Sequence, residues 1–83
     1  MKDGKTEVFD VTLVKKRLIA DMLREVSDSL KERGYNPINQ IVGYLISGDP
    51  GYISSYQDAR TKILGFDRTE IAAIILKEYL EKK

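Results

Sequence analysis

The chain has 83 residues, with 14 lysines and arginines against 13 aspartates and glutamates, and it contains neither cysteine nor histidine. The missing residue types exclude disulfides, zinc sites built on cysteine or histidine, and imidazole acid–base catalysis, and the net charge of +1 favours neither nucleic acid nor an anionic membrane as a partner. A domain this small buries a limited core, so association with a second copy is the remaining way to enlarge that core.

Residues 1–10 have the composition of a polar tail. They mix charged side chains with Gly4 and resemble neither a signal peptide nor a membrane span. We therefore expect a flexible tail over residues 1–10, a single helical domain over residues 11–83 and a cytoplasmic location. Thr6 is the tail's one hydroxyl. Its simplest interpretation is a residue without function. The alternative is a kinase site, where phosphate would add roughly two negative charges.

A long helix is predicted from about Thr12 to Arg33. Apolar residues recur at every fourth position from Val14 through Leu18 to Leu30, which is typical of a helix with one buried face. Gly34 is expected to end this helix in a left-handed conformation. The basic run 15–17 (Lys-Lys-Arg) is more simply interpreted as a solvated face, balanced by acidic residues of the same helix, than as a phosphate-binding patch.

The segment Gly34–Arg60 contains one charged side chain between residues 34 and 57, Asp49, although 33% of the whole chain is charged. Such a segment is predicted to be buried, within its own chain or against another. Asn36-Pro37 and Asp49-Pro50 each join a preferred N-cap residue to a proline suited to the first helical position. They predict a helix over residues 37–47 and a short helical turn after Asp49.

Gly43 lies inside that predicted helix, where glycine costs about 1 kcal/mol relative to alanine. We expect the close approach of another backbone, from this chain or from a second copy, to compensate. Tyr52 and Ile53 are predicted to be anchored in the core. Asp49 is interpreted as an N-cap and not as a catalytic acid, because the segment offers no second titratable group to share proton transfer. The sequence predicts no catalytic residue, no metal ligand and no cofactor.

Two further helices are predicted over Ser55–Leu64 and from Asp67 to the end of the chain. Asp58 and Lys62 have the spacing of a surface ion pair, and Asp67 and Glu70 that of a reciprocal capping box. Apolar residues on the last helix cover more than one face, which indicates either a central helix or one that also meets a partner chain. The fold class predicted is all-α, a compact bundle of four main helices plus a short turn, in an intertwined or helix-packed homodimer.

The run Tyr35–Pro50, YNPINQIVGYLISGDP, resembles the IreB family of small bacterial regulatory phosphoproteins. Looser similarity extends over most of the chain, including Thr6–Phe9 and Arg68–Leu80, whereas residues 10–18 and 54–56 depart from the usual pattern and indicate a divergent member. The resemblance implies a structural-motif and dimer-surface role for thirteen residues: Tyr35, Asn36, Pro37, Asn39, Gln40, Gly43, Tyr44, Gly48, Asp49, Pro50, Tyr52, Asp58 and Arg60.

Membership of that family implies a small cytoplasmic homodimer of Gram-positive bacteria without known catalytic activity. It implies phosphorylation of a tail threonine, by position Thr6, by a membrane Ser/Thr kinase that senses the cell wall, with a cognate phosphatase opposing it. It further implies a role in cell-envelope stress and antibiotic tolerance, through an unknown downstream protein. We expect phosphate on Thr6 to change what the tail docks against, with residues 15–17 as the candidate docking site.

Three alternatives stay open. The nearest is a protein-binding adaptor that is not phosphorylated. A helix-turn-helix DNA-binding protein is disfavoured, because the candidate recognition helices over residues 37–47 and 55–64 carry too little positive charge. An enzyme built on Tyr44, Asp49, Tyr52 and Arg60 is disfavoured by the lack of histidine, cysteine and paired carboxylates.

Overall fold

A computed structural model describes residues 11–81, which form helices joined by short turns. The four α-helices are α1 (Val11–Glu32), α2 (Pro37–Ser47), α3 (Ala59–Leu64) and α4 (Arg68–Leu80), and two 3-10 turns cover Pro50–Tyr52 and Tyr56–Asp58. No strand occurs within residues 11–81, so the all-α prediction is confirmed. No helix in this range is long and apolar enough to cross a membrane.

The core is built around the C-terminal two thirds of α1. Ile19, Met22, Val26 and Leu30 are buried there. The prediction that Val14 and Leu18 belong to the buried stripe is wrong, since both are exposed and Ile19 occupies the inward position instead. The same cluster contains one or two buried side chains from each of the other three helices and one from the residue after the first 3-10 turn: Tyr44, Ala59, Ile63, Ile71 and Ile53.

The ends of α1 and α2 follow the sequence signals. Gly34 has φ 84°, and the next backbone N–H, that of Tyr35, donates to Leu30 O at 3.0 Å. Gly48 has φ 76°, and its N–H donates to Tyr44 O at 2.7 Å. Left-handed glycines of this kind satisfy carbonyls that a helix end leaves without a partner.

The helix predicted over Ser55–Leu64 is confirmed only from Ala59 onwards, and its predicted start is wrong. Gln57 and Asp58 have φ values of 53° and 64°, so the chain turns sharply and α3 begins only at Ala59. Left-handed backbone costs a residue with a Cβ about 1–2 kcal/mol, and tertiary contacts offset this cost. Ser29 is buried in α1, and its hydroxyl donates to Gln57 Oε1 at 2.8 Å.

Two predicted side-chain pairs are also replaced by contacts between helices. Lys62 pairs with Glu25 of α1 at 3.2 Å, and not with Asp58, whose left-handed backbone precedes the helix. Asp67 caps α4 as predicted and accepts from Thr69 N at 2.9 Å. The reciprocal half of the capping box does not form, because the Glu70 carboxylate binds Lys15 of α1 at 2.8 Å.

Candidate functional site

The run Tyr35–Pro50, called the signature run from here on, begins with a helix cap. Asn36 has an extended backbone, and its Oδ1 accepts from Asn39 N at 3.1 Å. Pro37 follows as the first residue of α2, where a missing N–H costs nothing. The side chains of Tyr35 and Asn39 are exposed, whereas Tyr44, five residues after Asn39, is buried. The cap predicted from Asn36-Pro37 is confirmed.

Polar side chains of the run satisfy the backbone of the turn that follows α2. Asp49 Oδ1 accepts from Gly51 N at 2.8 Å, so Asp49 is the N-cap of the Pro50–Tyr52 turn, as predicted. Gln40 Nε2 donates to Tyr52 O at 2.9 Å, and Arg60 Nε donates to Ile53 O at 2.8 Å. These groups hold the chain path from α2 to α3 in place, and none of them is directed at a second titratable group.

Gly43 is covered by an aromatic ring. A Cβ added at Gly43 would overlap the ring of Tyr52, so only glycine leaves room for this ring against α2. The expected close approach is therefore present, but a side chain makes it and not another backbone. Ile53 is fully buried as predicted, whereas Tyr52 remains 41% exposed, because its ring lies on the outer surface of α2.

A contact that the sequence did not indicate joins the end of α2 to the start of α4. Arg68 Nη1 donates to Leu45 O at 3.0 Å, and a Cβ on Gly48 would lie 2.8 Å from Arg68 Cζ. The last turn of α2 contains no basic residue of its own. This lack is the one feature of the sequence that indicates that a cation from another element binds the end of α2. Arg68 complements the negative end of the α2 dipole.

The basic run on α1 forms two kinds of ion pair. Lys15 binds Glu70 at 2.8 Å and Lys16 binds Glu78 at 3.1 Å, so both lysines reach across to α4. Arg17 instead pairs with Asp21 of its own helix at 3.5 Å. The expected charge balance from α1 itself thus holds for Arg17 and is wrong for the two lysines. Their side chains are 47% and 44% exposed, so water and other anions can reach them.

The α1–α4 contact leaves an open groove of about 420 Å³ beside Lys16 and Glu78. Leu23 and Ile74 form part of its apolar floor. Ile74 also lines the depression on the other side of the contact, with Lys15 and Glu70. The two ion pairs therefore flank a single partly buried isoleucine. Thr6, the predicted phosphorylation site, lies outside the described residues.

The turn at residues 56–58 is tied to the last turn of α1. Tyr56 OH donates to Glu32 Oε1 at 2.9 Å, and the Arg33 guanidinium lies 5.1 Å from the centre of the Tyr56 ring. The hydrogen bond to Glu32 and the negative charge of that carboxylate raise the pKa of Tyr56. The positive charge of Arg33 lowers the same pKa, but to a smaller extent. These contacts explain how the strained backbone at Gln57 is kept in place.

The helices α2 and α4 present apolar side chains that nothing in the described chain covers, and the start of α1 does so with Leu13, Val14 and Leu18. On α2, Ile38 and Ile46 are 73% and 79% exposed, with Val42 between them on the same face. On the C-terminal half of α4 the exposed apolar residues are Ile75, Leu76, Tyr79 and Leu80. Within residues 11–81 no group of acidic side chains is arranged to hold a metal ion.

A family model described as the IreB regulatory phosphoprotein matches residues 4–81. The match spans nearly the whole chain, which therefore belongs to this family. The family assignment made from the Tyr35–Pro50 run is confirmed, and with it a regulatory role for the protein.

Proposed function

We propose that this member of the IreB family is a cytoplasmic regulatory phosphoprotein that acts through protein contacts and has no catalytic activity of its own. A Ser/Thr kinase phosphorylates Thr6 and a cognate phosphatase reverses the reaction, in signalling that links cell-envelope stress to antibiotic tolerance. The family match over residues 4–81 carries the proposal. Among the residues proposed for the motif, the polar atoms of Asn36, Gln40, Asp49 and Arg60 are engaged by backbone groups, which supports a structural and not a chemical role.

The protein acts as a homodimer, and the exposed apolar faces of α2 and α4 are the surfaces that support this. A stable interface buries about 800 Å² on each partner, so a dimer has to cover one of these faces together with the residues around it. The α2 face belongs to the signature run and lacks charge, so a second copy meets it without desolvating an ion. Of the two faces we assign the dimer contact to α2, where Ile38, Val42 and Ile46 align at intervals of four.

Analytical ultracentrifugation of matched charge variants tests this assignment. Ile46→Glu places a carboxylate on the α2 face, and Tyr79→Glu places one on the α4 face. Both side chains are 79% exposed in the single chain, so neither change disturbs the core. We expect Ile46→Glu to dissociate the dimer and Tyr79→Glu to leave it intact. The reverse pattern moves the contact to α4, and a wild-type protein that is monomeric at micromolar concentration refutes the dimer.

Incubation with the kinase and ATP, followed by intact-mass measurement, tests the modification. Wild type is expected to gain one phosphate, Thr6→Ala none, and Thr6→Ser one. Thr61→Ala is the matched control, since Thr61 is an exposed threonine within α3, and it is expected to behave as wild type. Phosphate retained by Thr6→Ala contradicts the assignment of Thr6. No phosphate on any variant favours the alternative, an adaptor that is not phosphorylated.

A further inference from the structure

The hold of α4 on α1 is light. Ile71 is the one fully buried side chain of this helix, and Ile74 is partly buried behind it. The other links between α4 and α1 are the ion pairs Lys15–Glu70 and Lys16–Glu78. Both pairs are about half exposed to water, and exposed ion pairs contribute little and respond to competing charges. The position of α4 is therefore open to an anion that binds the two lysines.

The tail can deliver such an anion. Thr6 lies five residues before Val11, the first residue of α1, and five extended residues span about 17 Å. Lys15 and Lys16 lie four and five residues into the helix, about 6–8 Å along its axis. A group attached to Thr6 is thus within reach of both ammonium groups, and its covalent tether gives it a local concentration in the millimolar range.

We propose that phosphate on Thr6 binds Lys15 and Lys16 and displaces Glu70 and Glu78, so that α4 is loosened from α1. This inference rests on the proposed phosphorylation of Thr6. A phosphate carries roughly two negative charges and several strong acceptor oxygens, whereas each glutamate offers a single charge. Lys15 and Lys16 are adjacent on α1, whereas the carboxylates that bind them lie eight residues apart on α4, so a phosphate that draws both ammonium groups to itself must release both glutamates.

The neighbouring arginines do not share this role. Arg17 and Arg24 both pair with Asp21, within α1. A phosphate that bound Arg17 would rearrange charges on one helix and would not change the contact with α4. The pair Arg17 and Arg24 therefore provides a control of equal charge on the same helix, with ion pairs that stay within α1.

Hydrogen exchange measured by mass spectrometry on protein that carries phosphothreonine at residue 6 tests the proposal. The phosphothreonine is introduced by genetic encoding, so no kinase is needed. Because exposed ion pairs hold helices weakly, we expect amides of α4 over residues 75–80 to exchange about two- to tenfold faster in the phosphorylated protein. Amides of α2 are expected to exchange unchanged. Unchanged or slower exchange over residues 75–80 overturns the proposal.

Two double variants establish whether the lysines are responsible. In Lys15→Gln/Lys16→Gln the exchange of α4 is expected to be fast already, and phosphate should add nothing. In Arg17→Gln/Arg24→Gln the response to phosphate should persist. A response that survives loss of the lysines, or disappears with loss of the arginines, contradicts the proposed exchange of partners.

The phosphorus-31 resonance gives a second readout that a merely structural effect does not move. Two ammonium groups favour the dianion, so the phosphate of wild type should titrate at lower pH than the phosphate of Lys15→Gln/Lys16→Gln. Equal titration midpoints overturn the binding step. Failure of the kinase to modify Thr6 contradicts the proposed function alone, whereas an encoded phosphate that leaves α4 and its own titration unaffected contradicts this inference alone.

Discussion

The segment Gly34–Arg60 and the contact between α1 and α4 are held by different kinds of bond. Between Asn36 and Arg60, polar side chains form hydrogen bonds with backbone groups: Gln40 with that of Tyr52, Asp49 with that of Gly51 and Arg60 with that of Ile53. The α1–α4 contact has one fully buried side chain and two exposed ion pairs. Hydrogen bonds to nearby backbone atoms depend less on salt than exposed ion pairs, which exchange partners and are screened.

The difference separates two tasks that a small regulatory protein must perform. One region keeps its shape under most conditions and can therefore present a constant surface. The other responds to charge, and charge is what phosphorylation changes. The four predictions that follow test this division, and they begin with the substitution expected to have the largest effect.

Ile71→Ala should be the most damaging change in α4. Replacing a fully buried isoleucine leaves a cavity and costs about 2–5 kcal/mol of unfolding free energy, here with no other fully buried side chain on the helix to compensate. Leu80→Ala is the control on the same helix, and because Leu80 is 71% exposed we expect a change within about 0.5 kcal/mol. Urea unfolding at fixed protein concentration measures both. Equal losses would show that α4 is also buried against another chain.

Gly48→Ala should cost more than Gly34→Ala, although both glycines are left-handed. The backbone penalty of about 1–2 kcal/mol is common to the two positions. A Cβ at Gly34 meets nothing within 4 Å, whereas one at Gly48 meets the Arg68 guanidinium. In an Arg68→Ala background the excess penalty at Gly48 should disappear, which a double-mutant cycle of thermal unfolding would detect. Equal penalties in the wild-type background would contradict the close contact between Gly48 and Arg68.

Glu70→Gln/Glu78→Gln should have a small effect that depends on salt. Each exposed pair is worth about 0.2–1 kcal/mol, so we expect a modest loss at low ionic strength that fades at about 1 M salt, where the screening length is about 3 Å. Glu81→Gln is the control, since Glu81 pairs with Lys77 inside α4. By contrast, the loss caused by Asn36→Ala, about 1 kcal/mol for an N-cap, should persist in salt. A loss in the double variant that is insensitive to salt would count against the comparison.

Tyr56 should make the stability of the protein depend on pH through the segment Gly34–Arg60, and only in the alkaline range. Glu32 raises the pKa of Tyr56, so the folded protein keeps this proton to a higher pH than the unfolded chain does. The stabilisation from Tyr56 is therefore fully present below the unfolded pKa, about 10, and is lost as the pH rises through the folded pKa. Urea unfolding against pH should show wild type converging on Tyr56→Phe in alkali. Parallel curves at all pH values would contradict the contact with Glu32.

Local signals in the sequence predicted much of this fold. Asn36-Pro37, Asp49-Pro50 and Gly34 act through their own backbone or the next few residues, and the structure has them in the predicted roles. The failures occurred where a distant residue decides the outcome. The Gln57–Asp58 turn lacks glycine and is held by Ser29 and Glu32 of α1, which no local pattern could reveal.

The candidate site was predictable only in part for the same reason. Glu70 has ideal spacing for a capping box, yet Lys15, 55 residues away, binds it. The glycine at position 43 indicated a close approach, but the partner could have been any bulky group, and the fold places Tyr52 there. The lack of a basic residue in the last turn of α2 left room for a cation from elsewhere, but it could not identify Arg68, because the acceptor is a backbone carbonyl.

The hydrogen bond from Arg68 to Leu45 O also fixes the point about which α4 can rotate. The bond lies at the first residue of the helix, so the N-terminal end is pinned to α2 while the rest of α4 extends about 20 Å from that pivot, at 1.5 Å per residue. A rotation of about ten degrees about the pivot would carry the far end through about 3 Å, enough to break side-chain contacts that reach only about 4 Å. A small rotation at the N-terminal end of α4 therefore produces a larger displacement of the exposed apolar residues at its C-terminal end.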